Sequence, residues 1–571
     1  MNKLEVKDIL KDNKLPEGWV KVKLGSLLIE SKERNITSKK LLVFSITNKK
    51  VFVLQDEYFS HNIHSKKTTN YKVFRENYFG YNPARINVGS IALSEKQREG
   101  LLSPMYVIFK TKSTLNPKYL KYFLQTSHFK NNVINNVAGS VRECLNYSFL
   151  EMFDFIYPIS ITEQNKIAEI LEIVEETIEK NDAIIEKYKR IKQGLMQDLL
   201  TRGITAFEFE KDKIIVAIKK VFNDGDHKIG REENLVSHLS RHLDDFFPKW
   251  DIDSEVNKNK ERQRPDIIVH KRGTDNNLFA IEVKKNDNLN AIKEDIKKLE
   301  NVMLGDYYYE DVVFIGFDIE NFEDVFKLSE KVNFILVSKN GEIKVKTRIR
   351  ELKNSPLGRI PVEWEVATLE SLCEKIADRD HTTPKYVDYG IRIVSPKDFD
   401  ENEVINFENC AMISLFDHLI NKKKTDIRAG DIIFTRIGAG LGKSCLVTEK
   451  MPEFSILHSA AMIRSNKKNA PLFLLYSLKS FYLQKQISDG IQSIGVPDLG
   501  MDKMQNLKLR IPINIDEQWR IAGILSQIGE TIEKEQKYKE KLERIKQGLM
   551  EDLLTSEVRT NYLIKEGVES V

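Results

Sequence analysis

The chain has 571 residues, 41% hydrophobic and 30% charged, with 89 basic against 85 acidic side chains and a net charge of +4. This length implies roughly three to five domains, the composition excludes a wholly disordered chain, and the small charge excess neither demands nor excludes a nucleic-acid partner. The N-terminus has no apolar signal core and no run approaches the roughly 18 apolar residues of a membrane span, so a cytoplasmic protein with no membrane partner is expected. Cys144, Cys373, Cys410 and Cys445 lack metal-ligand spacing and read as free thiols of a reducing compartment.

Residues 1–160 read as a first globule of mixed α/β type. It opens on Pro16-Glu-Gly-Trp19-Val-Lys-Val22-Lys-Leu24. Short β-leaning runs follow, such as Leu41–Ile46, Ile91–Leu93 and Met105–Phe109, and the segment closes on a strand at Phe155–Pro158. A long helix is predicted over 161–203, with Thr162 as its N-terminal cap. Ile167, Leu171, Val174, Ile178, Ile185, Tyr188, Leu195 and Leu199 alternate by four and three, the spacing of a coiled-coil seam. Asn181 and Lys192 interrupt it. Such breaks can fix register and partner at some cost in stability.

Residues 204–343 have no counterpart later in the chain. An amphipathic helix opens with Glu232-Glu233 and carries the stripe Leu235, Val236, Leu239 and Leu243. Two β-rich runs follow, Arg264-Pro265-Asp266-Ile-Ile-Val and Phe279-Ala-Ile-Glu282-Val-Lys284, joined by the turn-prone Gly273–Asn277. A helix over 291–299 and a strand over 312–317 follow, and the surrounding order fits α–β–β–β–α–β. A hairpin would start one strand at Asp266 and put Glu282 and Lys284 on one face of the next. Two carboxylates can hold Mg²⁺ through oxygen, and a lysine can orient or activate the attacking water. The segment resembles the PD-(D/E)XK nuclease superfamily. The resemblance implies Asp266, Glu282 and Lys284 as catalytic residues, and Glu232, Asp266 and Glu282 as metal ligands, with Glu233 the substitute for Glu232. His238 and His242 lack an intervening glutamate and a third ligand, so a solvent face is expected there, not zinc.

Residues 344–513 read as a second globule, 514–556 as a second long helix and 557–571 as a tail. Pro361-Val-Glu-Trp364-Glu-Val366-Ala-Thr-Leu369 repeats the opening of the first globule. Arg190-Ile-Lys-Gln-Gly-Leu-Met-Gln-Asp-Leu-Leu-Thr201 recurs as Arg544-Ile-Lys-Gln-Gly-Leu-Met-Glu-Asp-Leu-Leu-Thr555, offset by 354 residues. That distance excludes a solenoid, whose periods run roughly 20–50 residues, and means two large half-molecules in one chain. The second seam is Ile521, Leu525, Ile528, Ile532, Leu542, Leu549 and Leu553, broken by Glu535, Lys539 and Lys546, with Asp516 in the capping place. Gly438, Gly440, Gly442 and Lys443-Ser444 tempt a phosphate-loop reading, but Ile437 stands where the first glycine is required.

The plan globule–helix–globule–helix, with Asn354-Ser-Pro-Leu-Gly-Arg-Ile-Pro361, Asp380-His-Thr-Thr-Pro-Lys-Tyr386, Asp431-Ile-Ile-Phe-Thr-Arg-Ile-Gly-Ala-Gly-Leu-Gly-Lys443, Tyr81-Asn-Pro-Ala-Arg85 and Leu102-Ser-Pro-Met-Tyr106, resembles the specificity subunit of type I restriction–modification enzymes. The resemblance implies two α/β target recognition globules joined by two long antiparallel coiled-coil helices, with the α/β insert between them. Each globule would read one half of a bipartite double-stranded DNA target. The helices would set the unread spacer and dock two methyltransferase subunits, which carry S-adenosylmethionine; a motor–nuclease subunit would join the complex. Basic and amide side chains supply phosphate and base contacts. The candidates are Asn48, Lys49, Lys50, Tyr81, Asn82 and Arg85 in the first globule. In the second they are His381, Thr382, Lys385, Tyr386, Lys397, Arg436 and Lys443. Ordinary members of that family lack the insert. A self-guided Mg²⁺-dependent endonuclease is therefore the competing expectation, and a scaffold whose helices merely dimerise is a third.

Overall fold

A computed structural model describes residues 15–47, 52–55, 68–95, 99–137, 145–225, 232–254, 265–272, 274, 277–286, 288–304, 309–380, 384–491, 495–555 and 557–560. The chain forms two compact units, Met1–Lys187 with Ile532–Val571, and Tyr188–Thr531. Among the described residues no helix is long and apolar enough to cross a membrane.

In the first unit, strand Trp19–Lys23 pairs antiparallel with Asp154–Pro158, so the first and last strands of the globule close it. Two four-stranded sheets lie between them in sequence. The core gathers Phe109, Tyr119, Phe123 and Phe155 with Ile167 and Leu171 of the first long helix and Met550, Leu553 and Leu554 of the second. Those helices are Ile161–Arg202, 42 residues, and Ile515–Leu554, 40 residues. Both start earlier than the capping expectation. Ser160 Oγ accepts from the Glu163 amide at 3.4 Å, and Asn514 Oδ1 from the Asp516 amide at 2.8 Å. Thr162 and Asp516 therefore lie inside the first turn. The serine and asparagine two residues upstream have the short acceptor side chain that a cap needs.

Four of the five polar breaks in the seams, Asn181, Glu535, Lys539 and Lys546, find partners within this unit. Asn181 Nδ2 donates to Glu535 Oε2 at 2.6 Å, and Lys539 lies 2.7 Å from Asp182. Lys546 lies 2.6 Å from Glu175, and Arg559 lies 2.8 Å from Glu163. Residue numbers on one helix rise as those on the other fall, so the segments run in opposite directions. Glu175 is held down to about 2 by Lys121 and Lys546, which overcome its burial.

The second unit repeats this closure. Strand Trp364–Thr368 pairs antiparallel with Lys508–Pro512. Its core gathers Trp364, Phe473 and Leu509 with Ile521 and Leu525 of the second helix and Leu199 and Leu200 of the first.

The insert follows the first helix at Thr205, whose side chain and Glu208 form a reciprocal cap on helix α1 (Ala206–Asn223). Helix α2 (Glu232–Phe246), strands β1 (Asp251–Ser254), β2 (Ile267–His270) and β3 (Asn277–Lys285), helix α3 (Leu289–Leu304) and strand β4 (Tyr309–Phe317) follow. Helix α4 (Phe322–Phe326) and strands β5 (Asn333–Val337) and β6 (Ile343–Lys346) complete it. The six strands lie in chain order in one sheet. β3–β4 and β4–β5 are parallel and the other neighbours antiparallel. Alternation along β3 divides the core: Phe279, Ile281 and Val283 pack with α1 and α2, and Ala280 with Ile292, Ile296 and Leu299 of α3. The expected end of the insert at 343 falls short, because β6 continues to Lys346 and Arg348 anchors to buried Asp311 at 2.6 Å.

Gly203 and Arg350 bracket the insert. A Cβ on Gly203, whose φ is +71°, would strike Glu517 and Arg350. Glu517 accepts from the Ile204 amide at 3.0 Å and from Arg350 at 2.6 and 2.8 Å. The insert thus leaves and rejoins the second globule at one carboxylate.

Candidate functional site

The insert gathers a charged cluster on the α3 side of its sheet. β3 pairs with β2 so that Ile281 faces Ile267, which places Asp266 one step further on, beside Glu282. Asp266 is 3% exposed and its Oδ2 accepts from the Val283 amide at 2.9 Å. Glu282 is 1% exposed, with Oε1 2.5 Å from Lys298 Nζ. Lys284, two residues along the same face, lies 3.2 Å from Asp295 and 3.4 Å from Glu232. Burial and the neighbouring Asp266 push the Glu282 carboxyl up to about 8, against the pull of Lys298. Burial likewise raises Asp295, against Lys284.

The expected catalytic trio Asp266, Glu282 and Lys284 is therefore brought together. The expected three-ligand metal set is not. Among the described residues, no group of three or more His, Cys, Asp or Glu side chains is gathered closely enough to hold a metal ion. Glu232 reaches Lys284, Lys298 sits on Glu282, and Glu233 is exposed. The chemistry of the Asp266–Glu282 pair does fit a hard cation: Asp266 beside the buried Glu282 raises the proton affinity of the Glu282 carboxyl, and positive charge between the two would relieve it. Asp295 and Lys298 were missed by sequence reasoning. Their spacing of three on an amphipathic helix puts both on one face, but no motif singles them out from the other charges of α3. His242 pairs with Asp224 at 3.4 Å, an ordinary polar contact.

The candidate DNA contacts divide three ways. Lys385, Tyr386, Lys397 and Arg85 are exposed, and Asn82 is half-buried in a turn where its Oδ1 accepts from the Ala84 amide at 3.1 Å. Tyr81, Arg436 and Lys443 belong to the fold. Tyr81 is fully buried and donates its hydroxyl to the Leu145 carbonyl at 3.1 Å. Arg436, 3% exposed, pairs with Asp378 at 2.8 Å and Asp498 at 3.3 Å. Lys443 donates to the carbonyls of Phe399 and Asp400 at 3.3 and 2.9 Å. Tyr81 ends a strand, Arg436 follows one and Lys443 precedes one, and the local string does not reveal which side of those strands is buried. Asn48, Lys49, Lys50, His381 and Thr382 lie outside the described residues.

The glycines at 438–442 form a hairpin turn between Ile432–Thr435 and Ser444–Leu446, not the approach to a helix. Cys373, Cys410 and Cys445 are free, with burial pushing their thiols up to about 12, 11 and 12; Cys144 lies outside the described residues.

Equivalent residues of the two halves make equivalent contacts. Trp19 Nε1 donates to Glu163 at 3.4 Å and Trp364 Nε1 to Glu517 at 3.2 Å. Gln164 donates to the Pro158 carbonyl and Gln518 to the Pro512 carbonyl, each at 2.9 Å. Lys546 stands 5.5 Å over the Tyr122 ring, and Lys192 stands 5.4 Å over the Tyr476 ring. The molecule is thus a duplicated mixed α/β protein carrying one inserted domain.

Residues 361–544 match a family described as the type I restriction modification DNA specificity domain. The type I restriction enzyme MjaVIII specificity subunit of Methanocaldococcus jannaschii is 26% identical over 229 residues, covering 38% of this chain and 51% of that protein. A putative type I restriction enzyme MjaX specificity subunit of the same organism is 30% identical over 217 residues, covering 36% and 49%. The chain spans about half the length of the curated relatives it matches. Solved structures with similarity include a type I restriction–modification S subunit from M. genitalium, 12% identical over 95% of this chain and 98% of that one, with a TM-score of 0.44. The HsdS subunit from Thermoanaerobacter tengcongensis is 14% identical over 96% and 99%, with a TM-score of 0.31. The matched segment holds the second globule and most of its long helix.

Proposed function

We propose that this chain is the DNA sequence-specificity subunit of a type I restriction–modification complex, each globule reading one half of a bipartite target. The carrying observation is that the matched specificity domain repeats its tryptophan–glutamate, glutamine–carbonyl and lysine–tyrosine contacts in the other half of the same chain. The two long helices act as an antiparallel coiled-coil spacer between half-sites. They also dock two methyltransferase subunits, which bring S-adenosylmethionine, and a motor–nuclease subunit joins the assembly. Duplicated exposed apolar residues support the docking: Ile184 and Ile191 on the first helix, Tyr538 and Ile545 at the equivalent places on the second, between 39% and 49% exposed. Methylome sequencing of cells carrying the system is expected to return one split motif with a fixed spacer; a contiguous motif, or none, would overturn the proposal.

A second reading is favoured by the convergence of Asp266, Glu282 and Lys284 within the α–β–β–β–α–β order. The insert would then be a PD-(D/E)XK-like endonuclease guided by the two globules. Asp266 and Glu282 would hold Mg²⁺, which supplies Lewis-acid activation of water when bound. Lys284, held by Asp295 and Glu232, would orient that water toward the phosphate. Mg²⁺-dependent cleavage by the chain alone, lost in Asp266→Ala and Lys284→Ala with DNA binding intact, is the expected result; cleavage that persists in both variants refutes it.

A further inference from the structure

Helix Leu415–Lys424 of the second globule is amphipathic with its faces reversed. Two of its polar residues are buried: His418 Nδ1 lies 3.0 Å from Ser455 Oγ, and Asn421 Oδ1 accepts from Arg379 Nε at 2.7 Å. Its apolar residues face solvent, with Leu415, Phe416, Leu419 and Ile420 exposed by 59%, 73%, 52% and 46%. Burying such a side chain is favourable by roughly 1.5–3 kcal/mol, so leaving four of them in water is a standing cost that a binding partner would remove.

The surroundings indicate which partner. The helix ends in Lys422, Lys423 and Lys424. Lys424 lies 2.9 Å from Asp380, and Arg379 bonds Asn421, so the helix is fastened to the segment leading into the candidate reading loop. On the far side of that loop, strand Tyr386–Val387 pairs with Ala411–Ile413, Tyr386 opposite Ile413, immediately before the helix begins. Tyr386 is 55% exposed and Tyr389 91%. Apolar face, tyrosines and lysines therefore form one tract. Lys422 pairs with Glu453 and Lys424 with Asp380, while Asp417 bonds the capping Ser414, so the charge offered to a partner is that of exposed Lys423. Apolar side chains flanked by cations are the chemistry of a wedge that enters a base step while ammonium groups hold the adjoining phosphates.

We propose that this face is an apolar wedge against duplex DNA, with Phe416 and Leu419 at a base step of the second half-site and Lys423 on a neighbouring phosphate. The inference rests on the reading of this globule as a DNA-specificity domain. The test uses the full chain with its methyltransferase partner and duplexes carrying the split motif, with 2-aminopurine at each adenine-compatible step of the second half-site in turn. Wild-type complex is expected to raise the emission at one step. Phe416→Ser with Leu419→Ser should abolish that rise and weaken binding roughly tenfold or more. Lys423→Gln should reduce the salt dependence of binding by about one ion. The thermal midpoint should not fall, because the substituted side chains are exposed.

Unchanged affinity and emission in the double variant overturns the wedge. So does a double variant that keeps its DNA affinity but loses the methyltransferase or self-association, which would assign the face to a protein. A wild-type complex that binds no duplex instead overturns the specificity reading, and the wedge with it.

Discussion

Glu282 is the residue on which the chemistry of the insert turns. Its carboxyl is lifted from an ordinary value of 4.5 to about 8 by burial and by Asp266. A folded-state value above the unfolded one means that the folded chain holds an extra proton between those limits. The resulting stabilisation is full below the unfolded value and is lost as pH rises through the folded value. Glu282→Gln should therefore flatten the pH dependence of stability between pH 5 and 8.5, by on the order of a few kcal/mol, as read by thermal melting. Parallel profiles for the two proteins would contradict this. Added Mg²⁺ should raise the wild-type melting temperature at pH 8 by relieving the Asp266–Glu282 repulsion, and should do so less in Asp266→Ala. The same shift in both would move the cation elsewhere.

At the scale of elements, the long helices are built into the globule cores at both of their ends. Their N-terminal turns are core of the globule they follow, and their last turns are core as well. Leu171 and Leu525 are equivalent positions, each fully buried, in the first and second cores. Alanine at either should cost about 3 kcal/mol in denaturant unfolding, with little change expected from alanine at exposed Ile173. Glu517 binds Trp364, Arg350 and the Ile204 amide at once. Glu517→Ala takes the acceptor from the buried Trp364 indole and leaves Arg350 to Glu363 and the Arg202 carbonyl, and should destabilise the second unit by about 3 kcal/mol. Equilibrium unfolding in urea checks it, and Glu517→Gln should recover part of the loss.

For the whole molecule, the proposed modular reading makes separable demands. Exchanging residues 24–156 for another globule of this class should change one half of the methylated motif only. Adding or removing helical turns in both long helices should change the spacer and leave both half-sites intact. Because both ends of the insert meet at Glu517, replacing 206–346 with a short glycine linker should leave the second globule folded and the methylated motif unchanged. Methylome sequencing reads all three, and a motif lost on removing the insert would make the insert part of the reader.

Much of this was legible in one dimension, because repetition and period survive without coordinates. The 354-residue offset, the four-and-three seam and the α–β–β–β–α–β order of the insert depend only on local spacing, and so does the placement of Glu282 with Lys284 on one face. What tertiary structure alone decided is which side of each strand or helix is buried and what stands opposite. Tyr81, Arg436 and Lys443 looked like DNA contacts in their strings and are internal fastenings in space. Asp295 and Lys298 looked like any helix charges and close around Lys284 and Glu282. Glu232 kept its helical position, and tertiary structure set it 3.4 Å from Lys284. Helix 415–424 has an ordinary amphipathic period, and only the packing shows that its apolar face is the one left in water. A period is a property of the chain, but the direction a period faces is settled by the neighbours that fold against it.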